Sequence, residues 1–373
     1  SPRPPGLSLG RSKGARMLFR SRKLQGVALF ASLAIVLAAC SSDSDGSGDS
    51  ASADGACTPA ETPVINFAAY STPREAYGKI IPAFVSKWKE EHNDQNVIFQ
   101  ESYAGSTTQA ANVIAGYEAD IVALSLAPDV QQIVDAGLTS DAWQDAPDKG
   151  MVSTSVVVFD VRPGNPNGYA DWDDLAADGT EILTPDPASS GGARWNLVSL
   201  WGSALRGYAG VAKDDTAAAT TLMQNVLGNV TVFDKSARDS IQNFEAGNGD
   251  VAITYENEVL TAQEAGLDDE AVYPPSTVLI ENPVAIVDKW ADEHCVRDVA
   301  EAFVAYLHTP EAKELYTDVG FLRSTDIKEA KKGGGQFPPI EDLFTVDQIG
   351  GWDSLNEELF SDNGIATQAI AAG

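Results

Sequence analysis

Hydrophobic positions along the chain change period several times, and each change marks an element. Val64–Tyr70 is a short, nearly continuous apolar run and predicts a strand; from Arg74 to His92 the apolar residues recur at helical spacing. The scheme repeats. Asn96–Ser102 predicts a strand and GSTTQAANVIAGYEA a helix. Asp120–Leu126 and Thr154–Val161 are further unbroken apolar runs. Such runs suit strands covered on both faces, as in parallel sheets. In the second half EILTPD, VTVFD and VAITYENE continue the alternation, and Thr277–Lys289 reads as extended. Arg297–His308, Pro310–Tyr316 and the stretch from Asp342 to Phe344 onward read as helical. The pattern predicts an α/β architecture of two open sheets covered by helices, without a sequence repeat.

One junction departs from ordinary helix chemistry. In TPDPASSGGARWNLVSLWGSAL the apolar residues Trp195, Leu197, Leu200, Trp201 and Leu205 predict a helix from about Ala193, preceded by Ser189, Ser190, Gly191 and Gly192. One serine is enough to cap a helix. Two glycines cost chain entropy and strip the backbone of side chains. They make sense where a ligand must approach bare N–H groups, and the usual visitor at a helix N-terminus is an anion. YSTPRE, AGSTTQ and KSARDS repeat a small polar residue at a strand-to-helix junction. In an α/β fold such junctions gather at the carboxyl edge of the sheet, where ligands bind. Taken singly, Ser71, Ser106 and Ser236 also suit plain N-caps. Arg74, Arg194 and Arg238 suit either anion partners or ion pairs, and Tyr255 either a donor or a packing residue.

The N-terminal region changes the setting. Residues 1–39 hold seven basic side chains and no acidic one. Gly26 to Ala39 is an apolar run with Ser32 its one polar member. That suits a signal-peptide core, with Met17 as start and residues 1–16 as an upstream extension. The run ends in LAAC, which resembles the lipobox of bacterial lipoproteins and would make Cys40 the lipidated N-terminus. Residues 40–62 then read as a lipidated, flexible Ser/Gly/Asp tether. Beyond Cys40 stand two cysteines, Cys57 and Cys295; an oxidising compartment allows one disulfide, and two buried thiols are equally compatible with the count.

The whole chain has 373 residues and 54 acidic against 25 basic side chains, a formal net charge of −29. This charge argues against nucleic acid and anionic membrane surfaces as partners. An anionic ligand is compatible with it only in a closed cleft lined by neutral dipoles. The three histidines, His92, His294 and His308, form no catalytic or metal motif, and Ser190 has no evident base. The residues thus point to binding rather than catalysis.

SSGGARWN, GDVAITYENE, AGSTTQAANVIAGYEADIVALSLAPDV and NPVAIVDK together resemble the sulfate- and thiosulfate-binding proteins of ABC transporters. The likeness runs from about Val64 to Trp352. It implies a two-lobed, type II periplasmic-binding-protein fold with a hinge and an interlobe ligand cleft: residues 63–160 begin lobe 1, 161–281 form lobe 2, and 282–373 return to lobe 1 and supply C-terminal helices. It implies a dehydrated sulfate, or alternatively thiosulfate, molybdate or phosphate, held by Ser71, Ser106, Ser190, Gly191, Gly192, Ala237 and Tyr255. Ser71 stands where the family has an aspartate that serves through its backbone N–H. Tyr255 stands where the family has a tryptophan donor. Without cofactor or metal, the monomeric, lipid-anchored protein would sit on the extracytoplasmic face of the cell membrane and deliver its anion to a permease.

Overall fold

The structure, a computed structural model, describes residues 57–372. The signal segment, Cys40 and most of the tether lie outside the described residues. The chain begins β1 (Val64–Tyr70), α1 (Arg74–Glu91), β2 (Ile98–Ala104), α2 (Ser106–Ile114), β3 (Ile121–Ala123) and α3 (Ala127–Asp135). The three strands are mutually parallel, with β1 between β2 and β3. On one face Phe67, Tyr77, Phe84 and Phe303 pack edge to face into an aromatic core.

β4 (Met151–Val161) then carries the chain across. Its first half pairs with β9 (Ser276–Ile286) and its second half with β7 (Val251–Tyr255). β9 in turn leaves β4 to pair with β3. These two eleven-residue antiparallel strands join what the pattern suggests as two sheets into one path, β2-β1-β3-β9-β4-β7-β5-β6. The second half is built from β5 (Ile182–Pro185), α4 (Gly191–Leu205), α5 (Thr216–Gly228), β6 (Val230–Asp234), α6 (Ala237–Glu245), β7, α7 (Glu256–Glu264) and β8 (Glu270–Val272). α4 is buried nearly all round, and its Trp195 and Trp201 join Phe159 and Trp172 in the second core. The molecule is therefore two α/β lobes bridged by two long strands.

After β9, α8 (Asp288–Glu293), α9 (Arg297–Leu307) and α10 (Pro310–Asp318) pack on the first core. α11 (Ile327–Lys332) lies over the bridging strands through Ala330 against Val156, Val158 and Leu279. Asp342–Phe344, read from the sequence as helical, is a strand, β10, paired in parallel with the start of β9. Three residues are too few for a period to show, and the edge of β9 decides their conformation. The last helices, α12 (Gly351–Leu355) and α13 (Ile365–Ala372), complete the second core through Leu355, Ala366 and Ala369, with Leu359 of the turn between them. Cys57 and Cys295 are joined by a disulfide with Cα atoms 5.3 Å apart, which ties the start of the described chain to the turn between α8 and α9.

Asp160 of β4 is fully buried, and neither carboxyl oxygen has a hydrogen-bond partner among the described residues. Burial, reinforced by the Asp269 carboxylate, pushes its pKa up to about 8. The fold favours its protonated form. That stability is fully present below the ordinary carboxyl pKa of about 4 and is lost as pH rises to about 8. Asp160→Asn should therefore raise the melting temperature at pH 8.5 and have a shrinking effect towards pH 4. Melting curves across that range check it; equal effects at both ends would contradict it.

Candidate oxyanion-binding site

The carboxyl ends of β1, β2, β5 and β6 converge between the lobes. Tyr70, Ser71, Thr72, Ala104, Gly105, Ser106, Ser125, Ser190, Gly192 and Ala237 line a small cavity there. No lining side chain carries a charge. Three helices begin at this wall: α2 at Ser106, α4 at Gly191 and α6 at Ala237. The first N–H groups of a helix have no intrahelical acceptor and lie at the positive end of its dipole. The backbone N–H groups of Ser71, Ser106, Gly191, Gly192 and Ala237 donate to no acceptor among the described residues. The arrangement is a shell of donors suited to an anion.

The four junction serines play different parts. Ser190 is the N-cap of α4, its Oγ accepting from Ala193 N at 3.4 Å, which leaves its proton to offer. Ser236 is an ordinary cap, accepting from Asp239 N at 3.2 Å. Ser71 caps nothing: α1 starts later, with Pro73 at its N-cap. Ser106 is the first residue of α2 rather than its cap. Its hydroxyl donates to Asp129 Oδ2 at 2.6 Å and accepts from Ser125 N at 2.9 Å. That hydroxyl is committed, so Ser106 faces the cavity with its N–H alone. Asp129 is buried, and burial raises its pKa against the lowering effect of Ser106. Tyr255 lies behind Gly192 and is not part of the lining: a Cβ on that glycine would be 3.5 Å from Tyr255 Cε1.

The three tempting arginines are all engaged elsewhere. Arg74 stacks over Tyr103, and Arg194 donates to Pro187 O at 3.1 Å and stacks over Phe360. Arg238 sits between two carboxylates. Its Nε meets Glu258 at 2.7 Å, and its two terminal nitrogens grip Glu75 of the opposite lobe at 2.7 and 2.9 Å. Burial opposes the ionisation of Glu75, yet the guanidinium holds its carboxyl below the usual range. The guanidinium of Arg238, next in the chain to Ala237 of the lining, is thus neutralised by protein carboxylates.

Further ties hold the lobes together. Thr108 N donates to Ser189 O at 3.1 Å and Trp195 Nε1 to Ser125 O at 2.7 Å. The glycines make this contact possible. A Cβ on Gly105 would stand 2.4 Å from Ser189 O. One on Gly191 would stand 2.0 Å from Leu126 Cδ2 and 2.3 Å from Ser125 Oγ, both across the cleft. Gly192 has more room, its nearest neighbour being Ser190 Oγ at 3.3 Å. The paired glycines were legible in the sequence, but their division of labour was not. The contribution of Ser125 was missed, because a serine inside an apolar run gives no signal of its own.

Residues 65–322 match the family model described as bacterial extracellular solute-binding protein. The chain is 39% identical over 342 residues to the sulfate-binding protein of Synechococcus elongatus, covering 91% of this chain and 94% of that protein. It is 33% identical to the thiosulfate-binding protein of Pseudomonas aeruginosa over 84% of this chain and 94% of that one. Among solved structures, the sulfate-binding protein SubI from Mycobacterium tuberculosis superposes with a TM-score of 0.70 at 33% identity, over 80% of this chain and all of that one. A periplasmic thiamin-binding protein shares the fold, with a TM-score of 0.60 at 13% identity, over 83% of this chain and 96% of that one.

Gly191→Ala should leave the lobes folded but unable to meet, with anion binding lost. Gly192→Ala should weaken binding less, since its Cβ meets nothing closer than 3.3 Å. Scattering profiles and calorimetry of the two variants check this; a closed, tightly binding Gly191→Ala protein would contradict it.

Proposed function

The chain belongs to the bacterial extracellular solute-binding proteins, and from that premise we propose that it captures sulfate and hands it to the permease of an ABC transporter. The observation that carries this reading is the uncharged cavity ringed by unengaged N–H groups at three helix heads. Sulfate at neutral pH has no proton, so every oxygen seeks a donor. Hydrogen phosphate brings a proton that needs an acceptor, and a pocket of donors leaves it unmatched. Thiosulfate is the second reading, favoured by the 33% identity to a protein of that name. Sulfate ranks first because the relatives named for it are more similar.

The protein acts by binding and closing rather than by turnover, as a monomer. The ligand-binding set is Ser71, Ser106, Gly191, Gly192 and Ala237 through backbone N–H groups, Ser190 through its hydroxyl, and Tyr255 from behind the wall. Residues 63–160 and 161–281 move as the two lobes, hinged at β4 and β9. Cys40 carries the lipid, and the acidic tether after it holds the lobes off the membrane on the extracytoplasmic side.

Calorimetry of the purified chain with sulfate, thiosulfate, molybdate and phosphate in turn should give the tightest binding for sulfate. Ser190→Ala should cost about 1.5–3 kcal/mol, roughly a ten- to hundredfold loss, without lowering the unliganded melting temperature to match. Absence of binding to every oxyanion tested would overturn the reading. Separately, Cys40→Ala should release the protein from membrane fractions; unchanged attachment would contradict lipidation.

A further inference from the structure

This inference deepens the oxyanion reading, on which it rests, by asking which side chain adds to the shell of backbone donors. Tyr255 stands outside the cavity lining, whereas Ser125 is part of it. Ser125 is 1% exposed and its Oγ has no hydrogen-bond partner. Its backbone is fully occupied: the N–H donates to Ser106 Oγ at 2.9 Å, and the carbonyl accepts from Trp195 Nε1 at 2.7 Å and Asn282 Nδ2 at 3.0 Å. The hydroxyl is the one polar group of this residue left for a ligand. It points at the head of α4, since a Cβ on Gly191 would lie 2.3 Å from it.

The phenol of Tyr255 lies next to this serine and is likewise buried with Oη unpartnered. Burial raises its pKa, and the neighbouring Ser125 and Asn282 side chains temper the rise. The two side chains flank consecutive glycines, Ser125 Oγ against Gly191 at the cavity wall and the Tyr255 ring against Gly192 behind it. A hydroxyl has one proton to give. If Tyr255 donates to Ser125, the serine's acceptor is filled and its proton is turned to the anion. Tyr70 and Thr72 also bring buried, unpartnered hydroxyls to the lining. Each has an alternative neighbour, Ser153 beside Tyr70 and the Glu258 carboxylate beside Thr72. Leaving any of these groups without a partner in the closed state is costly, so the ligand and its neighbours must satisfy them.

We propose that Ser125 Oγ is a direct donor to the bound oxyanion and that Tyr255 is a positioning residue acting through it. With its acceptor side filled, Ser125 offers a proton rather than a lone pair, which favours a fully deprotonated anion over hydrogen phosphate.

The test is a double-mutant cycle read by calorimetry with sulfate and with inorganic phosphate. Ser125→Ala should weaken sulfate binding about tenfold or more. Tyr255→Phe should weaken it less and narrow the sulfate-to-phosphate preference, because the freed serine can then accept. The double variant should bind as Ser125→Ala does. Unliganded melting curves report folding, and Ser125→Cys, which keeps a side chain of similar shape with a weak donor, should show a similar loss. Unchanged sulfate affinity in Ser125→Ala, or the same cost of Tyr255→Phe in both backgrounds, would overturn the proposal. A parent chain that binds no sulfate would overturn the functional reading and this proposal with it.

Discussion

An anion taken out of water loses a donor from each of its lone pairs, and the protein must return them all. Here that demand falls on a chain with a formal net charge of −29. A buried arginine at the ligand would answer the charge, but Arg238, beside Ala237 of the cavity wall, is held by Glu75 and Glu258. What remains is the peptide group. Helix heads from both lobes turn their unpaired N–H groups to one point, and the strand order puts those heads on the same edge. Such donors do not titrate, carry no counter-ion and need no side-chain ordering when the ligand arrives.

The same demand dictates the shape. No single lobe can surround a tetrahedral ion, so the donors are divided, Ser71 and Ser106 on one lobe and Ser190, Gly191, Gly192 and Ala237 on the other. Bringing them together requires the backbones to touch. Gly105 and Gly191 are the points of closest approach, and a methyl group at either would collide with the facing lobe. The bidentate grip of Arg238 on Glu75 and the Trp195–Ser125 hydrogen bond then hold the cleft shut beside the cavity. Each core is built around its own end of the long strands β4 and β9.

Much of this was legible in the sequence. The alternation of apolar periods gave the α/β class, and Gly191 and Gly192 stood out because a cap asks for only one serine. The limits are equally specific. Ser71, Ser106 and Ser236 look alike as text, yet only Ser236 caps its helix. The difference lies in where each helix starts, which is set by tertiary contacts. The hydroxyl of Ser106 is consumed by Asp129, a partner 23 residues away, which no local pattern shows. β10 is three residues long and takes its conformation from β9. Ser125 is hidden in an apolar run, and its polarity has meaning only beside a glycine of the other lobe.

The arrangement calls for neutral dipoles, and no cation, to hold the anion. The most direct measurement is a high-resolution crystal structure of the chain with sulfate bound. Every sulfate oxygen should lie within hydrogen-bond distance of the Ser71 N–H, of backbone N–H groups at the heads of α2, α4 and α6, or of the Ser190 and neighbouring hydroxyls. Arg238 should remain paired with its two glutamates. A sulfate held directly by an arginine or lysine nitrogen, or one with ordered water between it and the helix heads, would contradict it.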